Sequence, residues 1–335
     1  MHAPVPAAET LTPRCIGPRP RTHGRTLIRP LRIQPRRSEN VTLPQTYTYK
    51  RTHGVDVQAD VYPPDEARPS PVVLWVHGGC LIMGHRSAIA GWQRDLYLQA
   101  GFALVSIDYR LAPETNLPAI IDDLEDACRW VRQSGPQLFH ADPHRIAVIG
   151  HSAGGYLALM AGFRADPRPA AIVAFYGYGD IVGPWYSEPS PFHLQQPPVS
   201  VERARAAVGG GLPTGTQGAD DREDFYLYCR QNGLWPYEVS GHDPKSEPEF
   251  FPPYCPVRNI DSDYPPTLLL HGDRDTDVPY EQSAMMAEAL AAAGVEHDLL
   301  TIHGGEHGFD AQPSAEARRA LRRVIEFLTA RLAER

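Results

Sequence analysis

Between Arg145 and Met160 the chain passes from a short β-branched run, Arg145 to Ile149, through Gly150-His151-Ser152-Ala153-Gly154 into a helical pattern that starts at Tyr156. Small residues around one serine suit a sharp turn in which backbones pack closely. A strand, such a turn and a helix in direct succession hold a serine hydroxyl in the open at the carboxyl edge of a sheet. The chain must therefore build an architecture in which strands feed straight into helices, which means a mainly parallel sheet with helices packed on it.

The rest of the pattern agrees. Val72 to Val76, Ala103 to Ile107, Ile146 to Ile149, Ala171 to Phe175 and Thr267 to Leu270 are continuous apolar runs of the length that buried strands use. A further strand is expected near Asp298 to Ile302, and Val55 to Tyr62 alternates apolar and polar residues as an edge strand does. Helical patterns fall at about 91–100, 118–133, 153–163 and 280–293, the last with Pro279 near its start and Gly294 at its end. Along 314–333, Ala317, Leu321, Val324, Leu328 and Leu332 make one apolar stripe. The expected fold is α/β, one domain over 41–335 with helices on both sheet faces.

One span breaks the rhythm. From about Gly179 to Tyr264 the chain is rich in proline and aromatics where a strand-to-helix crossover should be short, so an inserted lid or cap is expected there. Phe225-Tyr226-Leu227-Tyr228, Leu234-Trp235-Pro236-Tyr237 and Phe250-Phe251-Pro252-Pro253-Tyr254 give it large apolar surfaces with polar tips, fit either to line a pocket or to form the insertion's own core. Residues 1–40 hold eight arginines, many prolines and no apolar period, and read as a disordered leader. The prolines oppose the amphipathic helix of a transit peptide.

Composition narrows the function. A net charge of -8 and 21% charged residues give no basic balance to attract phosphate backbones, so a nucleic-acid partner is not expected. No membrane span or signal peptide is evident, and a cytoplasmic location is the expectation. Five cysteines (Cys15, Cys80, Cys128, Cys229, Cys255) without CxxC spacing indicate neither a metal site nor a disulfide framework, though a Cys229–Cys255 bridge stays open. No cofactor is expected. Asp122, Asp123, Glu125 and Asp126 read as acids in the first turns of a helix that complement its dipole, not as metal ligands.

A serine hydroxyl needs a base beside it and donors for the developing oxyanion before it can attack a carbonyl. His77-Gly78-Gly79-Cys80 follows the strand Val72 to Val76 directly, so the amides of Gly79 and Cys80, with that of Ala153, can face one oxyanion. In chain order an acid and then a base should follow, each just past a late strand. His307, flanked by glycines in Gly304-Gly305-Glu306-His307-Gly308, is the best base, while His297 and His303 read as structural. Spacing alone leaves Asp273, Asp275 and Asp277 as equal candidates for the acid.

From about Thr42 onward the chain resembles the α/β-hydrolase superfamily, near its hormone-sensitive-lipase-like and feruloyl- or acetyl-esterase-like branches. The matching segments are His77-Gly78-Gly79, Asp108-Tyr109-Arg110-Leu111-Ala112-Pro113-Glu114, Gly150-His151-Ser152-Ala153-Gly154-Gly155 and His271-Gly272-x-x-Asp275-x-x-Val278-Pro279. The resemblance implies Asp275 as the acid, with Ser152 and His307, and a structural role for Asp108 to Glu114 in which Arg110 and Glu114 tie loops near the site. It implies a serine carboxylesterase acting on small to medium esters. Three departures stand out: Cys80 replaces a third glycine, His151 replaces an aspartate common before that serine, and the extra structure comes late. The last two lean toward feruloyl-esterase-like and peptidase-like relatives. His271-Gly272-x-x-Asp275-x-x-Val278-Pro279 also resembles oligopeptidase-type domains, so amide or peptide hydrolysis of oligopeptidase-like type is the alternative activity, and a non-catalytic binding protein on the same scaffold is the alternative of another class.

Overall fold

The computed structural model describes residues 43–64, 69–215 and 222–334. The leader expected over 1–40, with Cys15, lies outside them. Eight strands form one sheet in the order β1-β2-β4-β3-β5-β6-β7-β8. They are β1 (Gln45–Thr52), β2 (Val55–Tyr62), β3 (Ser70–Val76), β4 (Ala103–Ile107), β5 (Ala141–His151), β6 (Ala171–Phe175), β7 (Thr267–Gly272) and β8 (His297–Ile302). From β4 to β8 every pairing is parallel, while β1–β2 and β2–β4 are antiparallel.

The expected edge strand is displaced inward. Val55 to Tyr62 pairs on both sides, and the edge is β1, which sequence reading missed because Thr and Tyr alternate there with no aliphatic residue, although Tyr47 and Tyr49 pack on Trp130. The two strands join through His53 and Gly54 at φ 48° and 79°, both positive as a two-residue hairpin of matching twist requires.

Five long helices flank the sheet: α1 (Gly91–Gln99), α2 (Leu117–Phe139), α3 (Ala153–Arg164), α8 (Glu281–Ala292) and α9 (Ala315–Arg331). One apolar core gathers α2, α3, α8 and the insertion; a second, on the other sheet face, gathers α1 and α9 with the alternate side chains of the strands. The alternation Val72, Leu74, Val76 against Val73, Trp75 divides β3 between those two cores, as the period of two demands.

The acidic run in α2 does not have the role expected of it. Asn116 caps this helix, so Asp122 and Asp123 fall beyond the first turn, which holds no acid. Asp123 is instead buried under a fork from Arg110, whose Nε and Nη2 donate at 2.8 and 2.7 Å, and beside the Lys50 ammonium at 2.7 Å. A fully buried carboxylate persists only with such partners.

Between β6 and β7 the described residues add four short helices, α4 (Pro184–Ser187), α5 (Val201–Ala206), α6 (Glu223–Asn232) and α7 (Trp235–Ser240), with several 3-10 turns. Phe225, Trp235 and Phe251 are buried in its core, whereas Tyr237 is exposed. Tyr186 stacks on Trp235 at 4.0 Å and Trp185 on Tyr186 at 3.6 Å. The insertion is tied down by Arg222, which pairs with Glu114 and donates to the carbonyls of Ile82 and Ala112 at 2.9 and 2.8 Å. Cys80, Cys128, Cys229 and Cys255 are free buried thiols, so no Cys229–Cys255 bridge exists. Among the described residues no helix is long and apolar enough to cross a membrane.

Candidate active site

β5 runs out at His151 and α3 starts at Ala153, leaving Ser152 alone in the turn with φ 55° and ψ −118°. A side chain in that region is strained and persists only where its surroundings fix it. They do so here: the Ser152 amide donates to Phe175 O at 2.9 Å and its carbonyl accepts from Tyr156 at 2.9 Å. Gly154 presses so closely on the end of β3 that a Cβ there would overlap the carbonyls of Val76 and His77.

His307 reaches the same point from the loop after β8. Its Nε2 lies 3.1 Å from Ser152 Oγ and its Nδ1 2.7 Å from Asp275 Oδ2. An ionised carboxylate only accepts, so Nδ1 carries the hydrogen and the Nε2 lone pair faces the hydroxyl. Asp275 is held by the amides of Asp277 and Val278, each 2.9 Å from Oδ1, and its Oδ2 is 3.4 Å from His271 Nε2. Burial alone would raise its pKa, but hydrogen bonds from His271 and His307 outweigh it and keep the carboxyl below its ordinary range. For His307, burial disfavours the imidazolium, yet the Asp275 hydrogen bond and the charges of Asp277, Asp275 and Asp310 raise its pKa above the usual histidine value.

The three aspartates that spacing left equal occupy different places. Asp273 sits at the surface, 2.9 Å from the exposed ring of His303 and 2.6 Å from the Gly304 amide. Asp275 meets Nδ1 of His307, and Asp277 Oδ2 comes within 3.7 Å of Nε2. His297 turns to the carbonyl of Val295 at 2.8 Å, away from the site.

The loop after β3 completes the wall. His77 is fully buried, stacks on Tyr109 at 4.2 Å, and is kept neutral because burial pushes its pKa down to about 3. A Cβ on Gly78 would stand 2.8 Å from His151 O and 3.3 Å from Ser152 Cβ, so only glycine lets this loop touch the elbow. Cys80 takes φ 60°, a left-handed value that explains why a third glycine is the expected residue there. Its carbonyl is turned away and accepts from Trp235 Nε1 at 2.9 Å. The amides of Gly79 and Cys80 donate to no backbone carbonyl among the described residues, and Ala153 is the first residue of α3, where an amide lacks an intrahelical acceptor. Burial drives the Cys80 thiol far above its ordinary pKa, so it stays protonated.

Around these residues stand others, of which Asp310, Gln93, Tyr176, His193 and Arg230 carry no sequence signal. Asp310, buried below the site, accepts from Gln93 Nε2 at 2.7 Å, Tyr176 OH at 2.7 Å and His151 Nε2 at 2.8 Å, while His151 Nδ1 accepts from Trp75 Nε1 at 3.1 Å. Tyr176 packs against His307 at 4.6 Å. Asp277 gathers Tyr226 and Arg230 from α6, and His193. A cleft of about 370 Å³ opens beside the elbow between Trp75, Gly79, Met83, His151 and Tyr176, and neither Ser152 nor His307 is in its lining. That volume is of the size that takes a small molecule. A hydroxyl facing an oriented imidazole, next to unpaired amides, can exchange an acyl group through an oxyanion.

Comparison with known proteins agrees on the scaffold. The chain is 30% identical to the non-reducing polyketide synthase ausA of Aspergillus calidoustus over 85% of its length, and 31% identical to ascC of Acremonium egyptiacum over 79%. It spans only 14% of each of those proteins. Among solved structures, a Staphylococcus aureus protein of unknown function superposes with a TM-score of 0.71 at 22% identity, covering 86% of this chain and 99% of that one. The esterase of Pyrobaculum calidifontis does so at 0.63 and 23%, covering 83% and 82%. Thermogutta terrifontis esterase Est2 gives 0.61 and 22%, covering 86% and 92%. The sequence profile of the alpha/beta hydrolase fold matches residues 73–311, and with the sheet order and elbow described above the chain belongs to the α/β-hydrolase family.

Proposed function

We propose that the protein is a serine carboxylesterase that cleaves small to medium esters through an acyl-enzyme. The observation that carries this is the unbroken line Asp275 Oδ2, His307, Ser152 Oγ, at 2.7 and 3.1 Å. In the first half-reaction His307 Nε2 takes the Ser152 proton as Oγ bonds to the acyl carbon, and the amides of Gly79, Cys80 and Ala153 hold the oxyanion. His307 then gives that proton to the departing alcohol oxygen as the carbon–oxygen bond breaks. Water, activated by the same ring, releases the acid and restores Ser152. Asp275 keeps the ring in the required tautomer throughout. No step calls for a cofactor. The insertion acts as a cap, because α6 brings Tyr226 and Arg230 to Asp277 beside the base.

The test is burst release of nitrophenol from a short-chain ester, together with labelling of Ser152 by a fluorophosphonate. Both should vanish in Ser152→Ala. A variant that keeps full turnover would overturn the reading, and absence of labelling in folded wild-type protein would favour a binding role instead. Amide hydrolysis competes through the same groups; a higher kcat/KM on aminoacyl anilides than on matched esters would put it first.

A second substrate class follows from the relatives. Since the curated proteins it matches are named polyketide synthases, an acyl group of polyketide type belongs in the substrate panel. An acyl-enzyme forms equally from an oxygen or a sulfur leaving group, so each acyl group should be offered as ester and as thioester.

A further inference from the structure

Asp277 does more than close the loop after β7. Its Oδ1 collects three groups from the insertion: Tyr226 OH at 2.6 Å, Arg230 Nη1 at 2.9 Å and His193 Nε2 at 3.4 Å. Its Oδ2 is turned the other way and stands 3.7 Å from His307 Nε2, on the side that faces Ser152. The distance is too long for a hydrogen bond and short enough for a strong charge contact in a partly buried place. An anion on the lone-pair side of a neutral imidazole favours the protonated ring.

Arg230 sets how much charge Asp277 has left to offer. Its guanidinium is buried below the rings of Trp185, Tyr186 and Tyr226, with centroids at 5.6, 4.8 and 5.6 Å, and also donates to the Asp277 carbonyl at 3.1 Å. We infer that Asp277 is a second acidic partner of His307, an electrostatic positioning residue placed opposite Asp275, whose strength is set by the insertion through Arg230 and Tyr226. The cap thereby controls the pH at which the base becomes free.

Among the described residues the charged and titratable groups around the ring come from several elements, with His271 behind Asp275 and the protonated Cys80 thiol near Asp277 and Tyr226. Asp275 and Asp277 come from the loop after β7, and Tyr176 from the end of β6. Asp310 comes from the ring's own loop, and His193, Tyr226 and Arg230 from the insertion. Of these, Asp277 alone pairs an approach to Nε2 with partners on the insertion. Burial would raise its own pKa, but His193, the charges of His307 and Arg230, and Tyr226 hold it well below the carboxylate range, so it is ionised wherever the base titrates.

The role of His307 as the base rests on the function proposed above; the charge contact does not, and its test is read without turnover. The full-length protein, labelled with nitrogen-15 histidine, is titrated by NMR, with the His307 signals assigned through His307→Gln. In Asp277→Asn the His307 midpoint should fall, and in Tyr226→Phe, which removes one donor from Oδ1, it should rise. In a pH profile of kcat/KM, Asp277→Asn should gain activity near pH 6 relative to its own plateau. An unchanged or raised midpoint in folded Asp277→Asn overturns the inference. If that variant does not fold, the direction seen in Tyr226→Phe decides alone, and a fall or no movement there overturns it. Loss of ester turnover in the wild type would remove the proposed function while leaving the midpoints to be judged.

Discussion

Asp310 Oδ2 lies 2.8 Å from Nε2 of His151, the residue immediately before Ser152. The same carboxylate binds Tyr176, which packs against His307, so one buried group braces both the elbow and the His307 ring. The histidine before Ser152 is thus itself held by a buried carboxylate from the loop after β8.

Removing that brace should be costly. Asp310→Ala leaves His151 and Tyr176 as buried donors without their acceptor, while Gln93 Nε2 keeps the Asp310 backbone carbonyl at 2.9 Å, and each orphan costs about 1–3 kcal/mol. The expected loss of stability is about 3–5 kcal/mol, read from urea midpoints at constant m. A loss below about 1 kcal/mol would contradict the bracing role.

The neighbouring aspartates allow a sharper contrast. Asp275→Asn removes the acceptor that holds the ring's hydrogen on Nδ1, and kcat should drop by about 10⁴-fold with KM little changed. Asp273→Asn breaks only an exposed pair with His303, of a kind worth about 0–1 kcal/mol, and should leave kcat within about twofold. Steady-state kinetics on one ester separates them, and equal losses would show that the aspartates are misassigned.

The legibility of these parts follows from how local their signals are. Ser152 is visible because its strand, turn and helix are contiguous, and His307 because glycines isolate it after a strand. Asp275 was separable from its neighbours only through resemblance, since which of three aspartates points inward depends on the turn they share. Asp310 and Gln93 are 217 residues apart, and nothing in either segment marks it as buried and polar. Arg230 carries no mark in the sequence, and Tyr226 stands only in an aromatic segment fit to line a pocket or to form the insertion's own core, until α6 meets the loop after β7. The acidic run in α2 misleads for a related reason: helix propensity places the acids, but Lys50 and Arg110, from distant segments, decide what Asp123 does.

Cys80 should be dispensable as a thiol. It is buried, held protonated, and sits at φ 60°, where glycine is unstrained. If the protein is the proposed esterase, Cys80→Gly should keep ester turnover within about threefold, because the backbone amide proposed as an oxyanion donor persists and one such donor is worth far more than that when lost. Iodoacetamide at neutral pH should leave Cys80 unmodified in the folded protein, as read by mass spectrometry of its peptide. Inactivation that tracks modification of Cys80 would reverse this view.

The pH behaviour follows from the signs of the shifts. His307 has a raised pKa and must be neutral to accept the Ser152 proton, so kcat/KM should climb with pH through a midpoint above the ordinary histidine value of about 6.5. A raised base also means that the stability contributed by its imidazolium is complete below the unfolded value and is lost as pH rises through the folded one. Asp275, Asp277 and Asp310 are all lowered, so their contribution is present above the ordinary carboxylate range and disappears as pH falls through their folded values. Thermal melts should therefore fall steeply on the acid side of the carboxylate range and only shallowly above neutrality. The activity optimum should lie on the alkaline side of the stability plateau. Melts that fall more steeply on the alkaline side, or a kcat/KM midpoint below the ordinary histidine value, would contradict these assignments.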